Sequence, residues 1–191
     1  MEVHRTRPMH ANPRRWLPAL VLWAACAHAA PPTAAAAASE LGPLRPFTAA
    51  ERERIERVQP IVQRAAEAHA LSVELINGVI WVESKFERRA RGRRGPRGLM
   101  QIMPRTGRAI ARKLHRRYRP ASADFNIHAG AYYLASMIAR FGGDVAWGLA
   151  AYNHGPGVVK GWRESGRSLS DSSRGYAARV ARAGRAIAER L

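Results

Sequence analysis

Apolar side chains recur at helical spacing along this chain, and no stretch keeps the alternation of apolar and polar residues that marks a half-buried strand. Within residues 75–80, the apolar positions follow the i, i+1, i+4, i+5 pattern of one buried helix face, and Ser72 stands where it can cap that helix. A second helical stripe runs from Ile127 to Phe141. The pattern predicts a mainly α fold with at most a small β-hairpin near residues 92–102.

Capping residues and prolines predict where the helices begin. Thr48 and Glu51 have the spacing of a capping box, and Pro60 suits the first position of a second helix. The other expected helices begin at Ser72, at Pro104 or Thr106, at Asp124, at Asp144 and near Gly175. A chain of 191 residues with 47% hydrophobic content has room for one core, so a single globular domain is expected.

The first 29 residues have the features of a secretory signal peptide. Four arginines precede an apolar run of about ten residues, which suits a signal sequence and is far shorter than the roughly 20 residues that span a bilayer. The small-x-small triplet ending at Ala29 predicts cleavage there and export to the periplasm or cell envelope. A lipoprotein signal is the alternative, with Cys26 lipidated and the protein held at the outer membrane.

Residues 30–47 are rich in alanine and proline, which predicts a linker between the signal peptide and a folded domain at 48–191. Removal of residues 1–29 takes away four arginines and one glutamate, so 28 basic and 13 acidic side chains remain and the net charge falls from +18 to +15. An exported cation of this kind is expected to attract anionic wall polymers, anionic lipid or extracellular nucleic acid, and the charge alone does not choose among them.

Cysteine and histidine usage predicts no metal site, no cofactor and no disulfide framework. Cys26 is the single cysteine, and the seven histidines lack the His-Glu-x-x-His spacing of a zinc enzyme. The basic, glycine-rich stretch 91–98 resembles a phosphate-cradling or nucleic-acid loop but lacks the Gly-Lys-Ser/Thr ending of a P-loop. As a solvated loop it needs no ligand.

Glu83 is the next member of the apolar stripe that begins at Leu75, close to the expected C-terminal end of its helix. Burial and the helix dipole both oppose ionisation there, so we expect a raised pKa, as a general acid at a sugar oxygen requires. The alternative is a helix-end glutamate paired with Lys85, Arg88 or Arg89. Position alone does not decide between the two.

A second carboxylate that could complete a two-acid glycosidase site is not evident. The remaining candidates fall at helix caps or in polar segments: Glu74, Glu87, Asp124, Asp144, Glu164 and Asp171. This pattern argues against ordinary two-carboxylate hydrolysis unless the substrate supplies the nucleophile.

Three motifs occur in the order found in the soluble lytic transglycosylase catalytic domain, which this chain resembles over about residues 57–187. They are Glu-Ser-Lys-Phe at 83–86, Gly-Leu-Met-Gln-Ile-Met-Pro-Arg-Thr at 98–106 and Ala-Ala-Tyr-Asn-His-Gly-Pro-Gly at 150–157. The resemblance implies a lysozyme-like, mainly helical fold with a long saccharide groove and peptidoglycan glycan strands as the partner. We expect the protein to be a monomer.

The resemblance also implies a mechanism with a single glutamate. In that family the acid protonates the β-1,4 bond between N-acetylmuramic acid and N-acetylglucosamine, the substrate's acetamido group stabilises positive charge, and the 6-hydroxyl closes a 1,6-anhydro ring. By motif, Glu83 is the acid and then the base, and Tyr176 approaches it from the last helix. The implied substrate-binding residues are Gln101, Met103, Tyr152 and Asn153, together with Tyr176.

The chain departs from the family pattern at four positions. Gly92 stands where many members have serine, Pro96 where alanine is usual, His154 where alanine is commoner, and Ser172 where glutamate often occurs. Two other functions stay open: hydrolysis as in goose-type lysozymes, and non-catalytic binding of cell wall or nucleic acid. The intact Glu83 and Gln101 favour an enzyme over the second alternative.

Overall fold

The computed structural model describes residues 42–191, so the predicted signal peptide, Cys26 and most of the predicted linker lie outside the described residues. The described part contains seven α-helices and no strand longer than an isolated bridge. The helices are α1 Ala49–His69, α2 Val73–Ser84, α3 Pro104–Lys113, α4 Ala123–Arg140, α5 Val145–His154, α6 Pro156–Glu164 and α7 Asp171–Ala188. The predicted mainly α fold is confirmed.

Helix α1 begins at the predicted capping box. The Glu51 backbone N–H donates to Thr48 Oγ1 at 3.2 Å, and the Thr48 N–H donates to Glu51 Oε2 at 2.9 Å. The prediction that Pro60 opens a separate helix is wrong, because α1 continues through it. Pro60 is exposed, so the carbonyl that loses its N–H partner faces water, while the buried stripe from Ile55 to Val62 stays continuous.

Two other helix boundaries differ from the sequence-based expectation. Helix α6 was not predicted, because glycines at 155, 157 and 161 interrupt its apolar pattern, although Pro156 at the first turn is a start signal. Helix α7 begins four residues earlier than Gly175, since the Ser170 hydroxyl accepts the backbone N–H of Ser173 at 3.2 Å and caps it there.

Helices α2 and α7 pack in an antiparallel pair whose backbones almost touch at two glycines. A Cβ atom built on Gly78 would lie 2.2 Å from the Val180 carbonyl oxygen, and one built on Gly184 would lie 2.3 Å from the Glu74 carbonyl oxygen. Only glycine permits this approach. The two contacts fix the register of the pair, which brings the C-terminal end of α2 to the N-terminal end of α7.

The main core lies around this pair. Its fully buried members include Ile76 and Ile80 of α2, Leu134 of α4, Leu149 of α5 and Ile187 of α7. Smaller apolar clusters lie between α4, α5 and α6 and between α3 and α4. Within residues 42–191, no helix combines the length and apolar character needed to cross a bilayer.

The last residues of the predicted linker pack against the end of the chain. The Arg190 guanidinium donates to the carbonyl oxygens of Leu44 at 2.9 Å and Arg45 at 3.1 Å. Phe47 is 8% exposed and contacts the Trp81 ring in an edge-to-face arrangement, with centroids 4.9 Å apart. The two ends of the described chain therefore lie side by side, while the domain boundary at residue 48 stays a prediction.

Candidate active site

Glu83 lies in the last turn of α2, and a tyrosine of α7 is hydrogen-bonded to its carboxyl group. The Tyr176 hydroxyl donates to Glu83 Oε1 at 2.6 Å, and Tyr176 is 3% exposed. The register set by Gly78 and Gly184 accounts for this meeting, because Glu83 lies five residues after Gly78 on α2 and Tyr176 lies four residues before Val180 on α7. No ion pair to an arginine or lysine holds Glu83 within residues 42–191.

Burial raises the pKa of the Glu83 carboxyl above its ordinary value, and the hydrogen bond from Tyr176 opposes that shift without cancelling it. Burial also raises the pKa of Tyr152 and Tyr176 well above the usual phenol value, and the negative charge of Glu83 adds to both shifts. Both phenols thus remain hydrogen-bond donors at neutral pH, while the carboxyl group is biased toward the protonated form.

A tight turn over residues 97–102 contacts Ser84, the residue that follows Glu83 at the end of α2. The predicted small hairpin is reduced to isolated bridges that pair Arg97 with Arg91 and with Ile102. Gly98 has φ 79° and Gln101 has φ 45°, so the chain passes through the left-handed region twice within four residues. A turn of this shape requires contacts from its surroundings to keep it in place.

Side chains from three helices supply those contacts. The Ser84 hydroxyl donates to the Leu99 carbonyl at 2.7 Å, and the Tyr152 hydroxyl donates to the Met100 carbonyl at 2.7 Å. Asn126 accepts from the Met100 N–H at 2.7 Å and donates to the Arg97 carbonyl at 3.0 Å. The hydroxyl of Tyr152 is therefore committed to this turn, and only its ring is available to a ligand.

The side-chain amide nitrogen of Gln101 is also occupied by hydrogen bonds to this part of the chain. Its Nε2 donates to the carbonyl oxygens of Gly98 at 2.7 Å and Ala90 at 3.2 Å, which uses both amide hydrogens. Gln101 can therefore meet a ligand only through Oε1.

Met103 and Asn153 lie at the surface. Met103 precedes α3 and is 45% exposed, and Asn153 is exposed on α5 next to Tyr152. Among residues 42–191, neither is hydrogen-bonded to Glu83, and no cluster of three His, Cys, Asp or Glu side chains is arranged to hold a metal ion. The sugar-binding roles of both residues remain predictions.

Sequence reasoning assigned no role to Ser84 or Asn126, although both hold the turn. Asn126 is 2% exposed, so its amide lies within the core and must find partners there. A polar residue inside an apolar helix stripe was the available signal. Its partners could not be named, because they are backbone groups of a distant turn.

Two of the departures from the family pattern, Gly92 and Pro96, compete for the same space. A Cβ atom built on Gly92 would lie 2.6 Å from Pro96 Cγ and 2.9 Å from Gln101 Oε1. Gly92 itself has no left-handed φ, so a side chain there is opposed by lack of space and not by the backbone. The Pro96 ring takes the volume that a serine at 92 would need.

We expect Gly92→Ser alone to lower the free energy of unfolding by about 1–3 kcal/mol, because it overpacks the turn. Adding Pro96→Ala removes the ring and should recover most of that loss. Thermal unfolding of both single variants and the double variant measures the coupling between the two positions. Purely additive effects would contradict the shared volume, and Gly92→Ala with and without Pro96→Ala is the control for the hydroxyl group.

Fold and site together define a mainly helical domain built around one half-buried carboxyl group. The sequence profile of the transglycosylase SLT domain matches residues 60–174, and the chain belongs to that family. The resemblance read from the three sequence motifs is thereby confirmed.

Named relatives agree with this assignment. The chain is 34% identical over 102 residues, 51% of its length, to peptidoglycan transglycosylase gp16 of Escherichia phage T7. It is 31% identical over 124 residues, 61% of its length, to membrane-bound lytic murein transglycosylase F of Desulfosudis oleivorans. An X-ray structure of an inactive mutant of lytic transglycosylase Slt from Pseudomonas aeruginosa superposes on 69% of the chain with a TM-score of 0.62 and 29% identity.

These relatives are much longer than the matched region. The chain covers 8% of the phage protein, 26% of the murein transglycosylase and 24% of the Slt chain. It thus corresponds to about a quarter or less of each of them.

Proposed function

We propose that this chain is a peptidoglycan lytic transglycosylase, a carbon–oxygen lyase that cleaves the β-1,4 bond between N-acetylmuramic acid and N-acetylglucosamine and leaves a 1,6-anhydromuramoyl end. The observation that carries the proposal is the hydrogen bond from Tyr176 to a half-buried Glu83 whose pKa is raised by burial. A carboxylic acid that keeps its proton near neutral pH can donate it to an unactivated sugar oxygen.

The reaction needs one carboxyl group in two successive roles. Glu83 gives its proton to the glycosidic oxygen, the C1–O bond breaks, and the acetamido group of the substrate stabilises the positive charge at C1. The 6-hydroxyl oxygen then bonds to C1 and its proton passes to the Glu83 carboxylate, which restores the acid. No water is consumed, and the tyrosine hydroxyl stabilises the carboxylate that exists between the two steps.

The other acids considered in the sequence support a single-carboxylate site, since five of the six are engaged away from Glu83. Four of them form ion pairs: Glu87 with Arg54, Asp124 with Arg116, Glu164 with Lys160 and Asp171 with Arg174. The fifth, Asp144, caps α5. A hydrolase with two carboxylates 5–10 Å apart, roughly the separation that glycosidases use, is therefore not the favoured reading.

The proposed substrate is a glycan strand of peptidoglycan, bound by a monomer. Gln101, Met103, Tyr152 and Asn153 contact the sugars in this proposal, Gln101 through Oε1 and Tyr152 through its ring. Export to the periplasm or cell envelope belongs to the proposal, with a lipid anchor at Cys26 as the alternative. Further proposed partners are anionic wall polymers or an envelope assembly.

Product mass tests the proposed function. Purified peptidoglycan digested with the enzyme should release muropeptides that are lighter by one water than those from a hydrolase, since the 6-hydroxyl and not water attacks C1. Muropeptides that end in a reducing sugar, and are therefore heavier than the anhydro products by one water, would show hydrolysis as in goose-type lysozymes. Binding to sacculi without any released muropeptide would favour the non-catalytic alternative.

Tyr176→Phe should move the alkaline limb of the pH–activity profile to higher pH. The hydroxyl donates to the charged form of Glu83 and lowers its pKa, so removing the hydroxyl raises that pKa further. Activity requires the protonated acid, which then persists to higher pH. The pH dependence of kcat/KM measures the shift. Tyr118→Phe is the matched control, because Tyr118 packs against the cluster between α3 and α4 and is not hydrogen-bonded to Glu83. A limb that stays in place or moves to lower pH would contradict the assigned hydrogen bond.

A further inference from the structure

Arginine side chains line two adjoining surface pockets outside the candidate active site. The smaller pocket, about 290 Å³, is lined by Arg88, Arg89, Arg91 and Arg97 together with small residues. The larger, about 660 Å³, shares Arg88 and Arg89 with it and adds Arg54 and Arg57. We call these six arginines, which run across both pockets, the cationic track.

The track carries far more positive charge than its surroundings neutralise. Glu87 is the only acidic residue that lines either pocket, and it pairs with Arg54 at 3.1 Å. Arg57 pairs with Glu53 on the exposed face of α1. Within residues 42–191, the four arginines of the smaller pocket form no ion pair at all. Four like charges around one concave site favour a bound anion.

The chemistry of the lining points to phosphate groups. All the cations are guanidinium groups, whose planar forks bind phosphate oxygens in pairs, and no lysine lines either pocket. Because the two pockets adjoin through Arg88 and Arg89, a ligand with several anionic groups in a row can occupy both. A single carboxylate would neutralise only one of the charges.

Aromatic side chains that could stack on nucleic-acid bases are not available there. Phe86 is the only aromatic residue that lines either pocket, and it is 2% exposed. Binding of single-stranded nucleic acid normally combines a basic groove with exposed aromatic rings. A polymer without bases therefore fits this surface better.

We infer that the cationic track binds a linear phosphodiester polymer that carries no bases, such as a polyol-phosphate chain of the cell envelope. The smaller pocket shares its wall with the candidate active site, because Ala90 and Gly98 line it and their carbonyl oxygens accept from Gln101. The polymer is thus held next to the Glu83 site. Binding does not depend on glycan cleavage, so it can be tested whether or not the proposed function holds.

The test measures binding of a synthetic oligo(glycerol phosphate) to the full chain across a series of salt concentrations. The variant replaces Arg88, Arg89, Arg91 and Arg97 with glutamine. The control variant removes the same charge outside both pockets, through glutamine at Arg140, Lys160, Arg167 and Arg185. Circular dichroism and thermal unfolding confirm that both variants fold.

We expect the track variant to bind at least tenfold more weakly at physiological salt and the control variant to change less than about twofold. The slope of log K against log salt should become shallower by about 3 in the track variant, at about 0.7 per lost phosphate contact on a flexible strand. Equal losses in both variants would show diffuse attraction to net charge and overturn the proposal. Equal affinity for poly-glutamate of matched charge, or tighter binding of a single-stranded oligonucleotide, would also overturn it.

Discussion

Glu83→Gln is expected to reduce the release of muropeptides from purified peptidoglycan by about 100- to 10,000-fold, the usual contribution of a positioned general acid. Glutamine keeps the shape of the side chain and can still accept the hydrogen bond from Tyr176, but it has no proton to transfer to the glycosidic oxygen. The loss should appear in kcat, because the proton moves only in the transition state. A turbidity assay with mass analysis of the products measures it.

Glu87→Gln is the matched control for this variant. Glu87 lies four residues further along the chain, is exposed and pairs with Arg54, so its replacement should leave cleavage near the wild-type rate. Circular dichroism shows whether the Glu83 variant keeps its helices. A folded Glu83→Gln protein that clears peptidoglycan as fast as the wild type would remove Glu83 from the mechanism and leave the single-acid proposal without its acid.

Gly78→Ala is expected to lower the free energy of unfolding by about 3 kcal/mol or more, at the upper end for an overpacked core. The added methyl group would lie 2.2 Å from the Val180 carbonyl oxygen, which belongs to the backbone of α7 and cannot turn away as a side chain could. The helices must separate or slide. Either movement also shifts Tyr176 relative to Glu83, so activity should fall together with stability.

Thermal unfolding measures the effect, and a loss of this size lowers Tm by about 6–12 °C in a domain of this length. Gly161→Ala is the control, because Gly161 lies within α6 and nothing approaches its Cβ position within 4 Å. That substitution should stabilise the protein by about 0.5–1 kcal/mol. If Gly78→Ala were as stable as the wild type, the close helix contact that sets the register would be wrong.

Local signals in the sequence predicted most of the fold. The capping box at Thr48, the cap at Ser72 and Pro104 at the start of α3 act within one turn of helix, so they can be read without knowing the tertiary structure. The helix start predicted at Pro60 was wrong and α6 was not predicted, because tertiary packing and not a local signal decides the structure at both places. Burial of the surrounding stripe outweighs the proline, and tertiary packing holds the glycine-rich helix in place.

Prediction of the candidate site was limited in the same way. The apolar stripe placed Glu83 on a buried face, which accounts for its raised pKa. The hydrogen bond from the Tyr152 hydroxyl to the Met100 carbonyl could not be predicted, because the two residues lie 52 positions apart and the acceptor is a backbone group. The clash between position 92 and the Pro96 ring likewise depends on the shape of one turn, and sequence spacing carries no information on that shape.

The hydrogen bonds from Arg190 to Leu44 and Arg45 bring the start and the end of the helical domain to one place on its surface. A domain with adjacent ends can be inserted into a loop of a host protein through two short joints without stretching either chain, and the entropy cost of closing that loop is small. The same geometry allows circular permutation: residues 44 and 190 can be linked and new termini opened at the exposed Gly142–Gly143 turn. The cut would fall between α4 and α5, and the two helices that carry Glu83 and Tyr176 would be joined through the new link between residues 190 and 44.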